Sequence, residues 1–311
     1  MKAQPFPLAP YNEQQRIVSK IEELFSDIDQ GEGALKKVQQ LLSAYRQSVL
    51  KAALLGELTN SDHESWQNCK IGDLITDMRY GTAKKCVHDP SKTPVLRIPN
   101  VVSGKIDLSD LKHTDFTEQE LKSLSLREGD LLLVRSNGSA SLVARSAVVG
   151  KEACGYAYAG YLIRLRLNEE LVLPHFLHLY FHSPLARAII ERQARSTSGV
   201  HNINSEEIKS LKLKLPTVTE QQDIIDKVRE IFSRIDALEA WCRTELARST
   251  TLRQSILKAA FSGQLVPQDP SDEPASALLS RIKEPRTTSA RQTGASIDLS
   301  LAEQLTLWEP A

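Results

Sequence analysis

No apolar run in the sequence approaches the roughly 18 residues that a membrane span needs. The N-terminus also lacks the basic-then-apolar pattern of a signal peptide. A membrane-embedded chain is not expected. Cysteine is scarce: Cys69, Cys86, Cys154 and Cys242 are scattered, with no C-x-x-C pair. This argues against a disulfide framework or a paired-cysteine zinc site and fits free thiols in a reducing cytoplasm. Aromatic residues make up only 5%. Catalytic signatures are missing too. Val101–Lys105 (VVSGK) lacks the first glycine and the hydroxyl residue of a phosphate-binding loop. No G-x-G-x-x-G, H-E-x-x-H or G-x-S-x-G occurs. Their joint absence favours binding over chemistry. His175, His178 and His182 step by three and four, but no carboxylate or cysteine is placed beside them, so structural or surface roles are expected rather than a metal site.

What is present is an ordinary globular balance, 41% hydrophobic and 25% charged, over 311 residues. The net charge of zero hides a split. Residues 66–216 hold 21 Lys and Arg against 16 Asp and Glu, and the rest of the chain is acidic by the same margin. A basic module on an acidic frame points toward an anionic partner.

The chain also repeats itself. RQSVLKAALLGEL (Arg46–Leu58) returns as RQSILKAAFSGQL (Arg253–Leu265), and Glu13–Thr59 matches Glu220–Val266 at 20 of 47 positions without a gap. Two copies are too few for a solenoid; they read as one duplicated element flanking a separate domain. Each copy reads as a long helix. Asn12 and Thr219 are expected as N-caps, with Gln15 and Gln222 three residues on, and Gly56 and Gly263 as terminating glycines. Apolar positions in copy one alternate steps of four and three: Ile17, Ile21, Leu24, Ile28, Gly31, Leu35, Val38, Leu42, Tyr45, Val49, Ala52. Copy two gives Ile224, Val228, Ile231, Ile235, Leu238, Cys242, Glu245, Ser249, Leu252, Ile256, Ala259. This is a coiled-coil seam, with Gly31, Glu245 and Ser249 as soft spots. The expected interface is Ile17, Ile21, Leu24, Ile28, Leu42 and Val49 with Ile224, Val228, Ile231, Ile235, Leu252 and Ile256. Some 40 residues per helix give a rod of about 60 Å.

Between the copies the pattern changes to short strands, turns and helices, an α+β domain. GDLLLVRSNGS reads as a strand ending at Asn137-Gly138, PHFLHLYFHSPLARAIIERQ as a helix interrupted at Pro184, and LKLKLP as a closing strand. Several loops are rich in groups that touch nucleic acid: Arg79, Tyr80, Gly81, Thr82, Lys84 and Lys85; Arg97 and Asn100; Arg135, Ser136, Asn137 and Ser139; Ser196, Ser198, His201, Asn202 and Asn204. Lysine and arginine neutralise phosphates. Arginine and asparagine pair bidentately with base edges, and glycine lets a backbone amide approach.

The paired openings, a proline two or three residues before E-Q-Q-x-I (PYNEQQRIV, PTVTEQQDI), the paired R-Q-S-[VI]-L-K-A-A endings and the following DEPASALLSRIKEPR together resemble the specificity subunit of type I restriction–modification systems, over residues 5–286. The middle domain is similar to that family's target recognition domain. The resemblance implies two recognition domains held apart by an antiparallel coiled coil, each reading half of a bipartite double-stranded DNA site. It implies methyltransferase subunits, and in some complexes a restriction subunit, docked on a non-catalytic chain in the cytoplasm. S-adenosylmethionine would belong to the partner methyltransferase and no cofactor to this chain. This sequence departs from the pattern in having one recognition domain, a half-length arrangement. The expected parts are the end of a missing domain at 1–11, a long helix over 12–60, the recognition domain over 61–216, a second long helix over 217–266, and a C-terminal segment at 267–311, partly disordered, with a short docking helix in IDLSLAEQLTLWEP. A head-to-tail homodimer would restore two domains. The rival reading is a coiled-coil adaptor whose middle domain binds protein and no DNA.

Overall fold

The computed structural model describes residues 7–59, 63–197 and 200–283. The expected C-terminal disorder and docking helix lie outside them. In chain order the elements are α1 (Tyr11–Leu54), β1 (Gln67–Lys70), β2 (Ile75–Tyr80), β3 (Thr93–Leu96), β4 (Lys112–Thr114), α2 (Glu118–Leu124), β5 (Leu131–Val134), β6 (Ser136–Asn137), β7 (Ser146–Val148), β8 (Ala157–Tyr158), β9 (Leu162–Leu167), α3 (Pro174–His182), α4 (Pro184–Gln193), β10 (Arg195–Thr197), β11 (Val200–Asn202), α5 (Ser205–Ser210), β12 (Lys212–Leu215), α6 (Val218–Phe261) and α7 (Ala275–Lys283). The class is α+β, with two long helices flanking one mixed domain. Contacts divide the chain into two compact units, residues 42–236 and residues 1–41 with 237–311.

In the first unit, β2-β9-β5-β7 form an antiparallel sheet. Leu131 and Leu133 of β5 face a core shared with α3, α4 and the ends of α1 and α6; Leu132 and Val134 face a second core with Leu96, Val101 and Tyr158. That explains why LLLV does not alternate in polarity: both faces are covered. Arg164 of β9 lies 1% exposed on the second face, ion-paired with Asp77 and donating to the carbonyls of Ser123 (3.2 Å) and Ser125 (3.3 Å). A buried guanidinium needs such partners. Smaller sheets, β1-β12, β4-β3-β8 and β10-β11-β6, close the domain. Ser183 ends α3 and caps α4 by accepting from the Ala186 amide (3.2 Å), which is how Pro184 splits the expected helix in two.

Both long helices run 44 residues. Each starts earlier than the caps Asn12 and Thr219 suggest. The capping hydroxyl for α6 is that of Thr217, which accepts from the Glu220 amide at 3.4 Å, so the S/T-x-x-E pattern sits two residues upstream. Gly56 and Gly263 do terminate the helices, at φ 73° and 68°.

The helices pair antiparallel in each unit. In one, Arg253 meets Asp29 (2.6 Å) and Glu32 (3.4 Å), and Ser249 meets Glu32 (2.6 Å). In the other, Arg46 meets Asp236, and Lys227 donates to the Leu58 carbonyl at 2.8 Å. These contacts repeat. Arg46 and Arg253 are counterparts, as are Asp29 and Asp236; Arg46 also lies 4.9 Å over Phe232, and Arg253 5.1 Å over Phe25. The duplication in sequence is thus a duplication in geometry.

The seam corrects part of the expected one. Ile17, Ile21, Leu24, Ile28, Leu42, Val49 and the second-copy residues Ile224, Val228, Ile231, Ile235 and Ile256 are buried or half-buried. Leu252 is 49% exposed, and Val38, Tyr45 and Leu238 also face solvent. Past Ile28 the covered positions are Glu32, Leu35, Gln39, Leu42, Arg46, Val49 and Ala53, one residue beyond the strict heptad at every second step. Copy two shifts identically, through Glu239, Cys242, Leu246, Ser249, Arg253, Ile256 and Ala260. A straight helix drifts about 20° per heptad against a 3.5-residue repeat, and a doubled step of four absorbs that drift. The shift puts Arg46 and Arg253 in the seam, where their methylene stems pack and their guanidinium groups reach acids and rings.

Candidate nucleic-acid interface

The candidate loops are assembled by backbone pairing. The Thr82 amide donates to the Tyr158 carbonyl (2.8 Å), and the Gly160 amide donates to Thr82 (2.7 Å). A Cβ on Gly81 would sit 2.3 Å from the carbonyl oxygens of Tyr158 and Ala159, so only glycine fits this crossing. The Arg135 amide donates to the Tyr161 carbonyl (2.8 Å), and the Ile203 amide donates to Arg135 (3.0 Å). In β11, His201 pairs with Asn137 and Asn202 with Ser136. Residues 79–82, 135–139, 159–161 and 201–205 therefore form one surface.

At its centre the Arg135 guanidinium stacks 4.6 Å over the Tyr80 ring, and its buried Nε has no hydrogen-bond partner among the described residues. The Tyr80 hydroxyl lies 3.1 Å from Ser205 Oγ and accepts from the Ser205 amide at 3.2 Å. Asn137 is fixed by accepting from the Ser139 amide (2.9 Å), and the Ser139 hydroxyl pairs with Ser141 (2.8 Å). The turn behind them is gripped by buried Arg187, which donates to the carbonyls of Val143 (2.5 Å), Ser141 (3.0 Å) and Ala140 (3.2 Å). Arg79 and Lys85 are exposed. A stacked arginine, free lysine and amide side chains on a rigid surface can hold phosphates and base edges.

Other expected residues take different places. Asn100 is a correction: it is 2% exposed, donates to the carbonyls of Asp107 (2.7 Å) and Asp110 (3.0 Å), and accepts from the Arg97 amide (2.8 Å). It organises its own loop and has no free edge for a ligand. Arg97 is held by Asp110 at 2.6 Å. Lys84 is bound by Glu120 (2.7 Å) and the Asp115 carbonyl (3.0 Å), over the Phe116 ring. Asn204 caps α5 through Oδ1, accepting from the Glu207 amide at 2.8 Å. Ser198 lies outside the described residues, and Ser196 sits in β10, opposite His201. Sequence reasoning missed Tyr161, which is 63% exposed just before β9. It also missed Ser205. An aromatic between glycine-rich loops (YAGY) was the available signal.

His178 and His182 lie behind this surface, ring centroids 4.3 Å apart, with His178 Nδ1 3.1 Å from Ser146 Oγ and His182 Nε2 3.0 Å from the Ser146 carbonyl. Burial pushes His178 well below its usual range; burial, opposed by the Ser146 bond and aided by Arg145 and Arg187, pushes His182 to about 4. The unfolded chain, with an imidazole near 6.5, therefore binds a proton that the folded one refuses between pH 6.5 and 4. Stability is full above 6.5 and falls as the pH drops, by about 2 kcal/mol at pH 5 for a group of this kind. Thermal melts at pH 7.5 and 5.0 should show this loss, and His182→Asn should reduce it, leaving the part that the buried His178 contributes.

The chain thus joins a loop-built surface, bearing a stacked arginine and exposed Arg79 and Lys85, to two long helices that pair antiparallel. The chain belongs to the family described as type I restriction modification DNA specificity domain, whose model matches residues 63–246, more than half of it. It is 33% identical over 298 residues to the EcoKI specificity subunit of Escherichia coli strain K12 and 29% identical over 296 residues to the StySPI specificity subunit of Salmonella potsdam. Each alignment covers 91% of this chain and 64% of the relative, so the chain spans under two thirds of their length. The fold matches a chain solved in work on complex assembly and conformational transition of the type I R-M system, with TM-score 0.67, 20% identity, and coverage of 83% of this chain and 61% of that one. The HsdS subunit from Thermoanaerobacter tengcongensis gives TM-score 0.52 at 19% identity, covering 84% and 60%.

Proposed function

We propose that the surface around Arg135 and Tyr80 reads one half of a bipartite double-stranded DNA site for a type I restriction–modification complex. The chain contributes no catalytic group. Partner methyltransferase subunits, supplying S-adenosylmethionine, dock on the helix pair, a restriction subunit joins where the system has one, and the complex works in the cytoplasm. The observation that carries this is the convergence of the basic and amide-bearing loops on one rigid surface, in a chain of the specificity family. The expected parts of the chain, with the recognition domain over 61–216, are kept in this reading. A head-to-tail homodimer is one source of a second recognition domain. Light scattering at micromolar concentration checks it: a two-chain mass supports the homodimer, and a one-chain mass removes it.

Mapping methylated bases in cells that express this chain with its cognate methyltransferase tests the whole reading. Methylation at an interrupted site that shifts on substituting Arg135 is the expected result. Methylation indifferent to this chain would overturn it and favour the protein-binding adaptor.

A further inference from the structure

Alternate side chains of a strand share one face, so the register of β2, β9 and β5 lines up rows on the face toward α3 and α4. Met78, Leu165 and Leu131 form one row, and Tyr80, Ile163 and Leu133 the next. Leu131, Leu133, Ile163 and Leu165 are fully buried there. Two residues further along the same face stand Arg135 and Tyr161, joined by the Arg135 amide donating to the Tyr161 carbonyl at 2.8 Å. At the strand ends the core face therefore runs out into Tyr80, Arg135 and Tyr161.

Two of the three engage each other. β9 lies between β5 and β2, and the Arg135 guanidinium reaches across it to the Tyr80 ring. Tyr80 is held in turn by Ser205. Tyr161 stands apart: it is 63% exposed against 39% for Tyr80, and the residue before it, Gly160, has no side chain to cover it. Its backbone is nonetheless fixed. Besides the bond from Arg135, the Gly160 amide donates to the Thr82 carbonyl (2.7 Å) and the Leu162 amide to the Ala159 carbonyl (2.9 Å). A lone exposed tyrosine is ordinary on any surface. This ring sits on a pinned backbone beside a stacked arginine, and an aromatic side chain with two torsions gives up little entropy when it meets a ligand.

We propose that Tyr161 is a specificity-determining residue that reads the 5-methyl group of a thymine, one base pair from a guanine taken by Arg135. The inference rests on the DNA reading above and adds what this face distinguishes. A guanidinium matches the O6 and N7 acceptors of guanine, and an apolar contact detects the thymine methyl in the major groove. Directly opposed residues of an antiparallel pair stand about 4.5–5.5 Å apart, comparable to the rise of about 3.4 Å between stacked base pairs. Side chains at 135 and 161 therefore meet neighbouring pairs. The ring carries the contact, and the hydroxyl is dispensable.

The test maps methylated bases in cells that express the full chain with its cognate methyltransferase, as wild type, Tyr161→Ala, Tyr161→Phe and Arg135→Ala. The wild-type half-site should contain a G·C pair with an A·T pair beside it. Tyr161→Ala should lose the preference at that A·T pair alone, and Arg135→Ala at the G·C pair. Tyr161→Phe should keep both. Duplexes carrying the mapped site then isolate the methyl group. Replacing that thymine by deoxyuridine should weaken binding of the wild-type chain about fourfold, the worth of one methyl group, and should leave Tyr161→Ala unaffected. This arm reads the wild-type chain and does not depend on how a variant folds. A deoxyuridine duplex bound as tightly as the thymine one overturns the proposal. So does an unchanged motif in Tyr161→Ala, or a half-site with no A·T pair beside the guanine. A motif shifted by Arg135→Ala and not by Tyr161→Ala removes only the tyrosine assignment. Methylation indifferent to both variants and to the chain itself removes the DNA reading with it.

Discussion

Gln221→Leu should lower stability by about 3 kcal/mol, because it strands the Leu173 amide and the carbonyls of Leu171 and Pro216 in a dry core. For a chain of 311 residues that is a fall of roughly 5 °C in melting midpoint, at about 2.1 cal/mol/K of unfolding entropy per residue. Gln14→Leu changes the same residue of the repeat, yet should cost less than about 1 kcal/mol. It removes one bond, to a half-exposed carbonyl, and adds an apolar side chain beside an open groove. Paired thermal melts of the two variants decide the matter. Equal losses would mean that both glutamines act only within their helices, and the two ends of the pair would not differ in cover.

Arg135→Ala should weaken DNA binding by about ten- to a hundredfold, the range for losing one bidentate or desolvated arginine contact. Tyr80 positions that arginine, so Tyr80→Ala should cost nearly as much while the double variant adds little more; Tyr80→Phe should keep the stack and most of the affinity. The lysines separate by geometry. Lys85 is free to neutralise a phosphate, and Lys85→Ala should make the salt dependence shallower by about one unit of slope. Lys84 is already neutralised by Glu120, and Lys84→Ala should change the slope less. Fluorescence anisotropy titrations across salt concentrations read all six variants. Additive losses for Arg135 and Tyr80, or equal slopes for the two lysines, would place the contact surface elsewhere.

The long helices were legible because a duplicated stretch carries its own control: what one copy left ambiguous, the other repeated. Their terminating glycines were legible for a local reason, since a helix that ends left-handed selects glycine. The second half of each seam was not. Val38, Tyr45 and Leu252 fit a heptad by spacing, but a one-residue shift follows from how two helices wind together. The polar, basic loops stood out by composition, while the places their members take in the fold were not separable. Asn100 and Arg135 look alike in sequence as donors flanked by strands. One is consumed by Asp107 and Asp110, and the other is propped on Tyr80 with a bond to spare.

By itself the sequence determined that the chain has two equivalent helices around one basic α+β domain, because helix periodicity, end signals and duplication are written in consecutive residues. Only tertiary structure decided which of the equivalent groups are occupied. Glu13 and Glu220, or Gln14 and Gln221, are the same letters; their difference is the presence of Trp66, Leu171 and Leu173, residues distant in the chain that cover one end and have no counterpart among the described residues at the other. Partnership of this kind depends on what the fold brings near, and no local pattern encodes it.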